Sequence, residues 1–272
     1  MNTRNVPPLG IRKRVTGNRL DEEVVKRGLV SSKEKARAFI MAGDVLLDHQ
    51  VVYKADKIVT GDNHIRLKEK FPYVSRGALK IEKAFKDFSI DIKGLKTLDI
   101  GISTGGFSDY MLKHGAETVA GVDVNIRQVD QRLRENIRLK LIKENARNLR
   151  GDKLGFEPDI ITIDVSFISV TKILPALSRF KKAKTIALIK PQFEAKRENV
   201  GKGGIVREEE KRIEVLLDLK QRIMELNYSV IDFTPSGVKG RKGNREYFFL
   251  LKYGKKPSIN DKIITNAIKS EL

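Results

Sequence analysis

A chain of 272 residues and 30.8 kDa is long for one average domain and fits a small domain followed by a medium one. Cysteine is absent and the three histidines lie far apart, which excludes disulfides, thiolate metal sites and a cysteine nucleophile and leaves no metal centre expected. The 54 Lys and Arg against 35 Asp and Glu, a net charge of +19, point to a polyanionic partner, because basic surfaces neutralise phosphates and release counterions.

Residues 1–17 read as an irregular basic arm, with Arg4 and Arg14 available to phosphates and Pro7-Pro8 and Gly10 opposing a helix. A small α+β unit is expected over 18–70. Its first helix runs from Arg19 to Lys26 and is stopped by Gly28. Ser31-Ser32-Lys33-Glu34 has capping-box spacing, with Ser31 accepting from the Glu34 amide. The helix it opens carries Ala36, Phe39 and Ile40 on one face and ends at Gly43. Val45-Leu46-Leu47 and Val51-Val52 then flank Asp48-His49-Gln50, which predicts a hairpin.

A second domain is expected over 71–254. It opens with a helix that places Ile81, Ala84, Phe85 and Phe88 at helical spacing. Apolar strands are predicted at Thr97–Ile100, Thr118–Val122, Lys140–Ile142, Ile160–Ile163, Thr185–Ile189, Ser229–Phe233 and Tyr247–Leu251, the first five separated by helical stretches. That alternation predicts an α/β fold with a mostly parallel sheet covered on both faces. Thr234–Glu246 is too short for a crossover helix, so the last strand is expected to run antiparallel. Seven strands with the last reversed are the Rossmann-like sheet of S-adenosylmethionine-dependent methyltransferases. Residues 255–272 read as a basic tail. No apolar run reaches the roughly 18 residues of a membrane span, and the N-terminus lacks the apolar core of a signal peptide, so the expected location is cytoplasmic, away from membranes.

The first strand runs into Gly101-Ile102-Ser103-Thr104-Gly105-Gly106-Phe107 and a helix, which is where a doubly wound fold binds its nucleotide cofactor. A dinucleotide needs glycine where this turn has Ser103. The turn therefore suits a ligand without a pyrophosphate, such as S-adenosylmethionine, with NAD or FAD as the alternative. Asp123 ends the next strand, where a carboxylate accepts ribose hydroxyls, and Asp99 suits a methionine ammonium. Asn145, after the third strand, joins the expected cofactor set.

Asp164 and Lys190 close two strands and so face the crevice at their carboxyl ends; Glu246 joins them if the last strand is reversed, and Lys80 reaches in from the preceding helix. Two lysines and two carboxylates suit attack by a ribose 2′-hydroxyl on a sulfonium methyl. A buried lysine beside a second cation is matched to that proton, so Lys190 is expected as base, Lys80 as its neighbour, and Asp164 and Glu246 as holders of the ammonium groups. Alignment supplies the rest. Asp164-Val165-Ser166-Phe167 differs from the Pro-Pro-aromatic motif of amino-group methylation, and cytosine-carbon methylation would need a cysteine.

These residues fall in five blocks: Tyr73–Lys80, Leu98–Phe107, Ile163–Ser169, Lys190–Glu194 and Gly243–Phe248. In them the chain resembles the TlyA family of bacterial ribosomal-RNA 2′-O-methyltransferases, historically described as hemolysins and related to FtsJ-type enzymes. The resemblance implies a Lys-Asp-Lys-Glu tetrad at Lys80, Asp164, Lys190 and Glu246 and cytidine ribose methylation in ribosomal RNA. It also implies an N-terminal alpha-L RNA-binding domain, like that of a small-subunit ribosomal protein, matched by Arg19-Leu20-Asp21, Ser32–Ala36 and Gly43-Asp44-Val45. Two stretches depart from the family pattern: Asn125-Ile126-Arg127-Gln128 after Asp123, and His49-Gln50 in the hairpin turn.

The front domain is expected to present Arg19, Lys33, Lys35 and Arg37 to ribosomal RNA or a ribosomal subunit, with Arg76 of the second domain as a further RNA contact, through contacts that give affinity without sequence choice. Phe167, Phe193 and the loop 200–206 are candidates to cover a target nucleotide, although packing in the core is the stronger expectation for the two aromatics. Gly201-Lys202-Gly203-Gly204 lacks the spacing and hydroxyl residue of a P-loop. A monomer is expected. Two rival readings stand beside the enzyme: a non-catalytic RNA-binding assembly factor that retains the cofactor, and a pore-forming hemolysin, which would need membrane-active segments.

Overall fold

A computed structural model describes residues 17–68, 72–201, 203–240, 243–254 and 257–271. The chain divides into two compact units, Met1–Phe71 and Pro72–Leu272.

In the first unit β1 (Asn18–Arg19) precedes α1 (Leu20–Lys26), α2 (Lys33–Met41), β2 (Val45–Leu47), β3 (Gln50–Val51), β4 (Ile58–Val59) and β5 (Ile65–Leu67). Leu20, Val24, Ala36, Ile40, Val45 and Val59 form its core. The cap of α2 lies one residue later than the sequence suggests. Ser32, in extended conformation, accepts from the Lys35 amide at 3.3 Å, while the Ser31 hydroxyl takes the Lys35 ammonium at 3.0 Å. β2 and β3 form the expected hairpin, but its turn residues are Asp48 (φ 49°) and His49 (φ 67°). Two left-handed residues match the twist of the flanking strands. The Asp48 carboxylate holds them in place by accepting from the His64 amide (2.7 Å) and the Asn63 side chain (2.8 Å). β2 also pairs with β5, and β1 with β4. The strands β1, β4 and β5, of two or three residues, are too short to show an alternating pattern.

The second unit runs α3 (Gly77–Asp87), β6 (Lys96–Ile100), α4 (Gly106–Lys113), β7 (Thr118–Asp123), α5 (Gln131–Arg134), β8 (Leu139–Lys143), β9 (Ile160–Ile163), α6 (Leu174–Leu177), β10 (Lys184–Ile189), α7 (Pro191–Glu194), α8 (Glu209–Glu225), β11 (Tyr228–Pro235), β12 (Tyr247–Tyr253) and α9 (Asp261–Lys269). Its seven-stranded sheet has the order β11-β12-β10-β9-β6-β7-β8, parallel except for β12, which is antiparallel to both β10 and β11. This is the expected methyltransferase sheet, with apolar clusters on both faces. The connections are leaner than the expected alternation with helices: β8 and β9 are joined by 3₁₀ turns, Ala146–Asn148 and Gly151–Lys153.

The reversal of β12 matters for the site. It starts where β10 ends, with Ile189 opposite Tyr247, so the residue before it sits at the carboxyl edge of the parallel strands. Past Tyr253, where the sequence suggests a basic tail, α9 forms behind an Asn260 cap and buries Ile264 and Ile268 in the sheet's core. Lys220 on α8 fixes it by donating to the Ile259 carbonyl (2.5 Å) and to Asp261 (2.6 Å).

Candidate active site

The strand order reverses beside β6, so a crevice opens at the carboxyl ends of β6 and β9, the usual ligand position in this class of sheet. The Gly-rich turn after β6 is held there by close backbone approach. Gly101 has φ 82°, and a Cβ on it would stand 2.3 Å from the Asp164 carbonyl, so a side chain would push β6 and β9 apart at their ends. Gly106 likewise lies under the Ser75 hydroxyl. Phe107 is buried, packing against Phe248 with ring centres 6.1 Å apart.

Asp99, in β6, reaches the same crevice. It is buried, and its carboxylate accepts from Ser108 (2.6 Å) and Thr162 (2.9 Å). Burial pushes the carboxyl up to about 6, the two hydroxyls counteract it, and the charge of Asp164 adds to the rise. Asp123 stands at the end of β7 as expected, and its oxygens accept from the amides of Ser103 (3.0 Å) and Asn125 (2.9 Å). Asn145 caps a 3₁₀ turn through the Arg147 amide (3.1 Å). Asp123, Asn145 and Gly105 do not line the main cavity; Gln128, from the loop after β7, does.

That cavity, of about 770 Å³, lies within the range of roughly 300–1,000 Å³ typical of small-molecule sites. Gly101, Ser103, Thr104, Gly106 and Phe107 line it, and so do Lys80, Asp164, Lys190 and Glu246. Lys80, in the first turns of α3, places its ammonium 2.6 Å from Glu246, with the two side chains 14% and 5% exposed. Lys190, just past β10, lies 2.5 Å from Asp164 Oδ1, close enough for an ion pair but off the direction of a hydrogen bond, and donates to the Ser166 hydroxyl at 3.0 Å. Four residues far apart in the chain thus form two ion pairs in one cavity. A buried carboxylate beside a glycine turn fits the ammonium of an amino-acid-bearing cofactor such as S-adenosylmethionine, and the paired lysines leave proton-handling groups next to it.

The aromatic pair departs from expectation. Phe167 is 88% exposed rather than buried in the core, has φ 65°, and lines the cavity with Phe193, their rings 4.9 Å apart. A left-handed phenylalanine is an uncommon and strained conformation. It swings the ring out of the sheet end. Glu194, at the end of α7, ties the helix that carries Phe193 to the segment that follows Phe167, accepting from the Ser169 hydroxyl (2.5 Å) and the Val170 amide (2.8 Å). Burial raises its carboxyl above the ordinary value. At the mouth, Asn244 donates to the Gly204 carbonyl (2.9 Å) and accepts from the Val206 amide (3.3 Å), so it pins the loop 201–206 beside Glu246. Sequence reasoning singles out neither Glu194 nor Asn244. Their only signal is membership of the blocks that carry Lys190 and Glu246.

The cations expected to face RNA from the first unit are engaged within it. Arg19 and Arg37 both bind Asp21, at 3.1 and 2.9 Å; Arg19 leads in holding that carboxyl down to about 2. Lys33 pairs with Glu22 at 2.6 Å. Arg4 and Arg14 lie outside the described residues. Arg76 lines the cavity. Among the described residues no group of three or more His, Asp or Glu side chains could hold a metal ion, and no helix is long and apolar enough to cross a membrane.

The FtsJ-like methyltransferase family matches residues 73–253, and the S4 domain matches residues 18–65. The chain is 42% identical over 236 residues to Hemolysin A of Brachyspira hyodysenteriae, covering 84% of this chain and 97% of that one. It is 34% identical over 255 residues to the 16S/23S rRNA (cytidine-2′-O)-methyltransferase TlyA of Mycobacterium tuberculosis, covering 92% and 95%. Among solved structures, a Streptococcus thermophilus protein provisionally named a hemolysin superposes with a TM-score of 0.70 at 35% identity, over 94% of this chain and 97% of that one.

Proposed function

The chain belongs to the FtsJ-like methyltransferase family, and on that premise we propose that it methylates a ribose 2′-hydroxyl of ribosomal RNA, at cytidine, using S-adenosylmethionine. One observation carries the reading: Lys80, Asp164, Lys190 and Glu246 meet in a single cavity with the Gly-rich turn. When bound, the cofactor supplies a methyl group on a sulfonium, an electrophile that needs no metal. Asp99 and the turn Gly101–Gly106 hold its amino-acid end.

The chemistry left to the protein is to aim the hydroxyl and take its proton. Lys190 acts as base in its neutral form, giving up before the reaction the proton it holds in the ion pair with Asp164. It takes the proton of the 2′-oxygen as the methyl transfers, and Asp164, 2.5 Å away, again faces the ammonium that forms. Lys80, fixed by Glu246, orients the acceptor oxygen. Phe167 and Phe193 offer ring faces to a base turned out of its helix. Paired elements of ribosomal RNA require such turning, and an exposed aromatic at the mouth suits it.

The test is a map of 2′-O-methyls on ribosomal RNA from cells with and without the gene; identical maps would remove this reading. Lys190→Ala in the purified protein is expected to keep cofactor binding, measured by calorimetry, and to lose methyl transfer by at least about 100-fold, the usual weight of a general base. Turnover at the unaltered rate would exclude Lys190 as base.

A further inference from the structure

The charges that line the cavity do not cancel. Lys80 with Glu246 and Lys190 with Asp164 form two neutral pairs, and Asp99 is turned toward Ser108 and Thr162. Arg76 and Lys239 remain. Both are exposed, both line the cavity, and neither side chain has an ion-pair or hydrogen-bond partner among the described residues. The other charges of the cavity are committed to partners within the fold; these two are presented outward.

Their positions are built rather than loose. Lys239 rides on the loop between β11 and β12, which is stitched by three hydrogen bonds: Ser236 amide to Glu246 carbonyl, Ser236 hydroxyl to Val238 carbonyl, and Gly240 amide to Asn244 carbonyl, all 2.9 Å. The same loop carries Glu246. Arg76 immediately precedes the helix that carries Lys80. Each free cation is therefore anchored beside one member of the Lys80–Glu246 pair. A bound S-adenosylmethionine carries an ammonium and a sulfonium against one carboxylate, so it adds net positive charge to the same space and leaves room for an anion from the other substrate.

We propose that Lys239 and Arg76 grip the phosphodiesters flanking the acceptor ribose, so that the catalytic unit recognises an internal nucleotide of an RNA strand through its backbone. This rests on the 2′-hydroxyl reading above. Phosphate contacts of this kind set register and depend on salt.

The experiment uses the full chain, with deproteinised ribosomal RNA from cells lacking the gene and S-adenosylhomocysteine bound. Association is measured between 50 and 200 mM salt for the unaltered protein and for Lys239→Ala, Lys239→Arg and Arg76→Ala. Each alanine variant is expected to flatten the salt slope by about 0.7–0.9, so that its affinity falls roughly threefold less across that range, and the Lys239→Arg slope is expected to stay near the original. The cofactor dissociation constant is expected to be unchanged in all three. An unaltered slope in the alanine variants would overturn the proposal, as would a weakened cofactor affinity without a change in slope, which would give these cations to the cofactor carboxylate. Methyl incorporation into the same RNA is read alongside. Its absence in the unaltered chain would count against the 2′-hydroxyl reading, while the slopes still decide the phosphate contacts.

Discussion

Asp99 carries a charge that its own surroundings resist, so the cofactor contact proposed for it is expected to depend on pH. Its carboxyl is pushed up to about 6 by burial, above the ordinary value of 3.8. A cationic ammonium stabilises the charged form, so affinity for the cofactor is present above about pH 6 and is lost as pH falls through it. Calorimetric titration with S-adenosylmethionine from pH 8 to pH 5 is expected to show that fall, and Asp99→Asn is expected to bind weakly and without the pH step. A flat profile for the unaltered protein would detach Asp99 from the cofactor. Gly240 makes a different residue-scale case. A Cβ there would stand 2.4 Å from Glu246 Oε1, so alanine has to displace the carboxylate that fixes Lys80. Gly240→Ala is expected to cut turnover by about tenfold or more, as misaligned reacting groups do, while cofactor binding holds. Equal turnover in single-turnover assays would show that Glu246 does not aim Lys80.

At the scale of elements, legibility follows length. The seven sheet strands can be read because four or more apolar residues in a row leave few alternatives, and the reversal of β12 follows from the short link before it. That reversal makes Glu246 legible as a neighbour of Asp164 and Lys190, because charged residues at the carboxyl edge of a sheet share one crevice. The local setting of Asp123 is not legible in the same way: its position at the strand end can be read, but the Ser103 and Asn125 amides that orient its carboxylate cannot. Phe167 escapes the sequence because an apolar side chain beside a buried strand has the same pattern whether its backbone turns inward or into the left-handed region. α9 is hidden behind Lys255-Lys256-Pro257, although Ile264 and Ile268 already carry helical spacing. It is tied to the site's edge, since Glu271 accepts from the Tyr247 hydroxyl (3.1 Å) and pairs with Arg245 (3.0 Å), residues on either side of Glu246. Lys220→Ala removes both bonds that seat the start of this helix. The loss of about 1–2 kcal/mol is expected to lower the melting temperature by roughly 3–6 °C in calorimetry. An unchanged melting temperature would mean that Ile264 and Ile268 alone seat α9.

The whole molecule joins two basic units with separate apolar cores. Leu20, Ile40 and their neighbours pack in one, and the sheet's two faces form the others. Residues 1–70 hold 15 Lys and Arg against 9 Asp and Glu, and residues 71–272 hold 39 against 26, so neither unit is a neutral passenger. In the first unit the buried Asp21 draws Arg19 and Arg37 together, which leaves one net positive charge at a fixed place. Under the proposed function such an arrangement would offer phosphates a fixed cationic site, giving affinity without base choice. On the proposed function the two units divide the work, the first raising the local concentration of RNA and the second taking the acceptor nucleotide into the cavity. Removing residues 1–71 is therefore expected to leave cofactor binding within about twofold, because every residue lining the cavity belongs to the second unit. The same removal is expected to lower affinity for ribosomal RNA steeply and to flatten its salt slope by about 0.7–0.9 for each phosphate that the first unit neutralises. If the shortened chain kept both the affinity and the slope, the grip on RNA would reside in the second unit alone, and Asp21 with its two arginines would serve only to brace α1 and α2.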